Sequence, residues 1–151
     1  MLGTLSEDQI NQVLISEAVG RIGCYSEGQI YVVPISYVYD GKCIYGHSTE
    51  GLKLRMMRAN PTVCFEVDHI NTMANWQSVI AWGTFEELTG DAAQQGMQLL
   101  LDRFQSLAKS EVGPAPSFPQ GTSSHRIDIA GRAAVIYCIR LTKKTGRFEL
   151  R

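Results

Sequence analysis

Asp40-Gly41 stands between two strand-like runs, Gln29 to Tyr39 and Lys42 to His47, and no other pair of residues constrains this chain so strongly. A two-residue turn of this kind joins its strands antiparallel, because both central positions take positive φ, which Gly, Asn and Asp tolerate best. The second run continues through Ser48-Thr49-Glu50-Gly51-Leu52-Lys53 into a helix. An exposed hairpin thus hands the backbone to the positive end of a helix carrying a lysine. Such a place suits a flat ring with an anionic group beside it.

The remaining pattern is read around that hairpin. Ser6 and Gln9 form a capping box, and Ile10, Val13, Leu14 and Ala18 keep helical spacing up to Gly20. Val19 to Tyr25 reads as a strand and Glu27-Gly28 as a turn, so that three consecutive strands make a meander. Glu50 to Asn60 is a short helix with Leu52, Met56 and Ala59 on one face, stopped by Asn60-Pro61. Thr62 to Asp68 alternates like a half-buried strand. A polar loop with Asn71-Thr72 and Asn75 precedes a long strand, Trp76 to Leu88, with Gly83 a candidate bend. Thr89-Gly90-Asp91 opens a helix to about Lys109, striped by Met97, Leu100, Leu101, Phe104 and Leu107. Val112 to Gly121, with Pro114, Pro116 and Pro119, is a loop; Ala133 to Leu141 is an apolar strand, and Thr145-Gly146 turns into a last strand, Arg147 to Leu150. Six or seven antiparallel strands with three helices between them make a mainly β, α+β chain. A single domain over 1–151, built as a small barrel with helices outside, is the economical solution.

Net charge -1 offers nothing to a nucleic acid, and no apolar run is long enough to span a membrane. With no basic, apolar leader at Met1 to Asp8, the expected location is cytoplasmic. Cys24, Cys43, Cys64 and Cys138 are far apart in apolar runs and read as reduced packing residues; no Cys or His spacing forms a metal site. No nucleophile elbow or phosphate loop supports a hydrolase or a kinase.

Four features carry chemistry. Pro34 within Val33-Pro34-Ile35-Ser36 removes a ladder donor and forces an edge or a bulge, freeing backbone groups to bind a ring edge; the plainer reading is an edge protected against aggregation. Lys53 in the first turn of its helix opposes the macrodipole unless an anion offsets it, with Ser48, Thr49 and Gly51 as neighbouring donors; the alternative is a solvated lysine beside Glu50, with Ser48 or Thr49 as N-cap. His47 shares a strand face with Cys43 and Tyr45, while Gly46 on the other face leaves room for a ligand. His47 is equally a structural histidine, and His69 and His125 read as solvated. Ser78 shares a face with Ile80 and Trp82, and its hydroxyl either bonds a ring edge or faces water.

The ordered blocks Gly20-Arg21-Ile22-Gly23, Val33-Pro34-Ile35-Ser36-Tyr37, Ile44-Tyr45-Gly46-His47-Ser48, Gly51-Leu52-Lys53, Asn60 to Phe65, Ser78 to Gly83 and Lys144 to Arg147 resemble the FMN-binding split-barrel proteins related to pyridoxamine 5′-phosphate oxidase. Within that group the chain is nearest the branch of the 5-nitroimidazole resistance proteins. The resemblance implies a six-stranded antiparallel split barrel, working as a homodimer with FMN in grooves at the subunit interface. By position, Val33, Pro34, Ile35 and Ser36 would line the ring, Tyr45, Gly46 and His47 would flank it, Lys53 would pair with the phosphate, and Ser78 would arrive from the partner. The chain ends Thr145-Gly146-Arg147-Phe148-Glu149-Leu150-Arg151, without the Arg-x-His element of the oxidase, so oxidation of pyridoxamine phosphate is not expected. The implied activity is FMN-dependent transfer of electrons, from NAD(P)H or another donor, to a small aromatic, nitro or quinone-like acceptor in a pocket shaped by His47, Tyr45 and Trp82. A carrier or sensor holding FMN, a deazaflavin or haem without turnover is the competing expectation, and a dimer with an empty groove a third.

Overall fold

The computed structural model describes residues 1–110 and 134–151; the expected loop at 112–121, the start of the apolar strand at Ala133, and His125 lie outside the described residues. Helix α1, Glu7–Ser16, begins with the capping box: the Ser6 hydroxyl accepts from the Gln9 N–H and the Gln9 side chain accepts from the Ser6 N–H. Ile10, Val13 and Leu14 form its buried face, and the helix ends before Ala18. Strands β2 (Val19–Ser26) and β3 (Gln29–Ser36) pair across Glu27-Gly28, where both residues have positive φ. The hairpin predicted at Glu27-Gly28 is found, with the two positive φ values expected at Asp40-Gly41.

At Asp40-Gly41 only Gly41 takes positive φ. Asp40 sits one place earlier in the turn, and its carboxylate accepts from the Lys42 and Cys43 N–H groups at 2.8 Å each. The expected meander is also replaced. Short β4 (Val38–Tyr39) pairs with β5 (Cys43–Ser48), whereas β3 pairs only with β2, so the Gln29 to Tyr39 run is two strands broken at Tyr37.

Helix α2, Leu52–Ala59, leads to β6 (Thr62–Thr72) and β7 (Asn75–Glu87), joined by a turn so tight that the expected polar loop is largely strand. Helix α3, Gly90–Ser110, precedes β8, Val135–Leu150. The latter runs straight through Thr145-Gly146, where a turn was predicted, because β7 pairs with it along its length. A Cβ at Gly146 would lie 2.8 Å from Ile10 and Leu5, so this glycine admits the N-terminal segment against the sheet rather than bending the strand. Strand β1, Leu2–Thr4, pairs with the end of β8.

The order β3-β2-β6-β7-β8-β5-β4 is antiparallel throughout, and setting aside the very short β1 and β4 leaves six strands. Ser36 ends one edge strand and Val38 begins the other, with Tyr37 alone between them. The sheet must curl until its edges nearly meet, yet they do not pair, which makes a barrel that stays split. Its interior is packed with Tyr37, Phe65, Ile22, Val67, Tyr137 and Ile139. Pro34 lies in the edge strand β3, where a missing N–H leaves no gap in a ladder. Helix α3 covers β4, β5 and β8 with Met97 and Leu100 against Ile136.

The bend anticipated at Gly83 is a register shift, in which Trp82 faces Lys143 and Gly83 faces Leu141. A Cβ on Gly83 would fall 2.3 Å from the Arg140 carbonyl oxygen, which is backbone and cannot step aside. Gly83→Ala is expected to destabilise the fold by about 1–3 kcal/mol, read as a lower midpoint in urea unfolding.

Candidate functional site

The helix phase decides where Lys53 goes. Met56 is buried as predicted, but with Leu54 and Met57 beside it rather than Leu52 and Ala59, because α2 turns that side onto β2. Lys53 stands three and four residues before Met56 and Met57, so it shares their side of the helix and is half-buried. Its Nζ lies 5.9 Å from the centroid of the Tyr137 ring. Burial pushes the amine below its ordinary value, and the nearby Cys24 thiol only partly opposes this.

No carboxylate pairs with Lys53 among the described residues. Glu50, the partner assumed in the solvated alternative, turns instead to Arg58, with its two oxygens 2.7 and 2.8 Å from the guanidinium. Neither Ser48 nor Thr49 caps α2. Gly51 holds the N-cap position without a side-chain hydrogen bond, and the Ser48 hydroxyl donates to the Thr49 carbonyl at 2.8 Å. The start of α2 therefore keeps its N–H groups and its positive dipole end uncapped beside an unpaired ammonium.

Two buried polar atoms nearby also lack a partner among the described residues: Tyr137 Oη and His47 Nδ1. Leaving such a group unsatisfied costs about 1–3 kcal/mol. Tyr137 faces the barrel interior directly opposite Gly46, where a Cβ would sit 2.5 Å from Oη. The space expected at Gly46 for a ligand is thus taken by the Tyr137 ring. His47 and Tyr45 point the other way, towards α3. The His47 ring meets Phe104 edge-on at 6.0 Å, and burial, followed by the Lys53 charge, pushes its pKa down and keeps it neutral at pH 7. Tyr45 donates to Asp40 Oδ2 at 3.0 Å, and burial, with that bond next, pushes its hydroxyl up to about 12.

Val33 to Ser36 present edge backbone rather than one side-chain face: Ile35 is buried inward, while Pro34 is exposed on the outer face. Ser36 lies two residues before Val38, which pairs with Tyr45, so the chain itself brings this edge to the opening beside β5. Ser78 and Trp82 lie elsewhere, on the outer face of β7. The Ser78 hydroxyl donates to Glu66 at 3.3 Å beside Arg21, and Trp82 lies under Lys143 Nζ at 5.0 Å. Within one chain, then, the fold gathers Ser36, Gly46, His47 and Lys53 and leaves out Ser78 and Trp82. It adds Tyr137, which no motif marked; only its register opposite Gly46 reveals it. No three His, Cys, Asp or Glu side chains gather as a metal site among the described residues, and no helix there is long and apolar enough to cross a membrane.

Comparisons with known proteins agree with this architecture. An uncharacterised protein of Rhizobium meliloti is 28% identical over 144 residues, which is 95% of this chain and 92% of the relative. The crystal structure of an FAD-binding protein from Mesorhizobium loti is 29% identical, with a TM-score of 0.73 over 100% of this chain and 98% of that one. A candidate 5-nitroimidazole antibiotic resistance protein of Bacteroides thetaiotaomicron shares the fold at 19% identity, with a TM-score of 0.67 over 98% and 89% of the two chains. The family model described as pyridoxamine 5′-phosphate oxidase matches residues 6–146, nearly the whole split barrel, and the chain belongs to that family.

Proposed function

We propose that the protein binds FMN and, as a cytoplasmic homodimer, transfers electrons from a reduced nicotinamide to a small aromatic, nitro or quinone-like acceptor. The observation that carries this reading is the half-buried, unpaired Lys53 ammonium at the uncapped start of α2. A buried cation without a counter-charge is costly, and a phosphate offsets that cost while accepting from the free N–H groups. The orphaned Tyr137 hydroxyl, inside the barrel, and His47 Nδ1, under α3, flank the end of β5 from opposite faces. These residues fit a phosphorylated ring compound, and the FAD-binding relative from Mesorhizobium loti supports a flavin.

When bound, the flavin supplies reversible two-electron chemistry. Lys53 would hold the phosphate, the β3 edge at Val33 to Ser36 would offer backbone groups to the ring, and α3 over His47 would exclude water. His47 is held neutral and Tyr45 gives up its proton only near 12, so neither is an acid suited to neutral pH. The same observation favours a second reading, a flavin carrier without turnover.

The homodimer rests on the outer sheet face. Val19, Tyr25, Ile30, Val32, Ile80 and Trp82 are all substantially exposed there, and the strand register puts them on one side. A second copy would cover this apolar surface and carry its own Ser78 towards the neighbouring opening. Val32→Asp combined with Ile80→Asp is expected to shift sedimentation equilibrium from dimer to monomer. An unchanged dimer would remove this face from the proposal.

Titration with FMN, followed by flavin fluorescence, tests the central claim. Wild-type protein is expected to bind, and Lys53→Met to bind about tenfold more weakly or worse. Without ligand the same variant is expected to melt at a higher temperature, because it removes a buried charge. Burial lowers the folded pKa of Lys53, so the unfolded chain holds the proton more tightly. The apoprotein should gain stability as pH rises from the lowered value towards the ordinary one, and FMN affinity should fall over the same window in wild type but not in Lys53→Met.

Oxidation of NADH or NADPH in the presence of nitroaromatic or quinone acceptors is expected to exceed the rate with free FMN. Equal rates would favour the carrier.

A further inference from the structure

Glu50 raises a difficulty for an anion site at α2. It immediately precedes the N-cap residue Gly51 and lies three residues before Lys53. A carboxylate in that position is drawn to the helix start by the macrodipole, and to a lysine three residues on by direct pairing. Left to itself it would occupy the groups that a phosphate needs.

Arg58, in the last turn of the same helix, draws it away. Its Nη1 and Nη2 grip the two Glu50 oxygens at 2.7 and 2.8 Å, while Nε and Nη2 hold Glu87, the last residue of β7, at 2.9 Å each. The guanidinium fork is thus engaged on two carboxylates at once, and Glu87 fixes where the fork points. Hydrogen bonds from Arg58 are the main reason the Glu50 carboxyl stays below its usual range, so it remains charged while being held off. These groups are solvent-accessible, and pairs of this kind add little to folding. Their consequence falls on binding.

We propose that Arg58 is a positioning residue for the anion site: by holding Glu50, it keeps that carboxylate from capping α2 and from neutralising Lys53. Arg58 touches neither Lys53 nor the helix start. The inference rests on the functional reading above, in which those two groups receive a phosphate.

The test is a cycle of FMN dissociation constants for wild type, Arg58→Gln, Glu50→Gln and the double variant. Arg58→Gln is expected to weaken binding about tenfold, the size of effect a released carboxylate has on a nearby anion at partial exposure. Glu50→Gln should stay close to wild type, and the double variant should return to within about twofold of Glu50→Gln, a coupling that separate contributions cannot produce. The deficit of Arg58→Gln should shrink as salt is raised. Wild-type affinity in Arg58→Gln overturns the inference, and so does a double variant as weak as Arg58→Gln, since Arg58 would then act by direct contact or through folding. Should Arg58→Gln fail to fold, as judged by circular dichroism, Glu87→Gln replaces it. It unpins Arg58 without removing its charge, and is expected to weaken FMN binding and to be rescued by Glu50→Gln; no weakening overturns the inference. A wild-type protein that binds no FMN sinks the flavin reading and this inference together, whereas binding that is indifferent to Arg58 sinks the inference alone.

Discussion

Tyr37 is the point on which the barrel depends. It is the single residue between two strands at opposite ends of the pairing order, so its position obliges the sheet to roll. Its N–H donates to the Ala18 carbonyl at 3.1 Å, its buried hydroxyl donates to the Leu14 carbonyl at 2.8 Å, and its ring meets Phe65 edge-on with centroids 4.8 Å apart. Backbone, hydroxyl and ring thus tie together the end of α1, the link to β2 and the middle of β6. A buried hydroxyl left unsatisfied is costly, so the three contacts hold as a set. Because the two edges converge here without pairing further, an opening remains beside the end of β5, and that is where α2 begins.

The opening holds a concentration of unmet demand. Lys53 is drawn inward by the phase of α2, Tyr137 Oη and His47 Nδ1 are buried without partners among the described residues, and the helix start lacks a cap. Each of these costs free energy in a protein that needs little else to be stable. Folding tolerates the cost because the surrounding core, from Ile22 to Ile139, over-determines the geometry. One anionic ligand at the start of α2 would relieve the lysine and the uncapped N–H groups together, whereas the Glu50 carboxylate, one residue before the N-cap, is held aside by Arg58. The residues that make this place costly without a ligand are those that an anion would suit.

Local signals in the chain carry through to the fold unevenly, and those that are overridden share a cause. The capping box at Ser6 and Gln9, the alternation in β6 and the edge position of Pro34 could be read directly, since each depends on residues a few places apart. Asp40-Gly41 was correctly a turn but not the predicted kind, because the Asp40 carboxylate bonds two backbone N–H groups and moves the turn by one residue. Thr145-Gly146 has the composition of a turn, yet the ladder to β7 outweighs it, and the glycine answers a packing demand from Leu5 and Ile10. Around the start of α2, Lys53 and His47 were visible as candidates and Tyr137 was not, because a tyrosine in an apolar strand carries no mark of which residue its hydroxyl will face.

The sequence by itself determined where the helices lie and most of the strands, where α1 is capped, and that a lysine follows a strand at a helix start, because caps, periodicity and turn chemistry act over a few residues. Only the tertiary structure decided that the strands on either side of Tyr37 belong to opposite edges, that α2 turns Lys53 inward, that Tyr137 fills the space beside Gly46, and that Glu50 belongs to Arg58. Those outcomes depend on register and helix phase, which are settled by contacts between residues far apart in the chain.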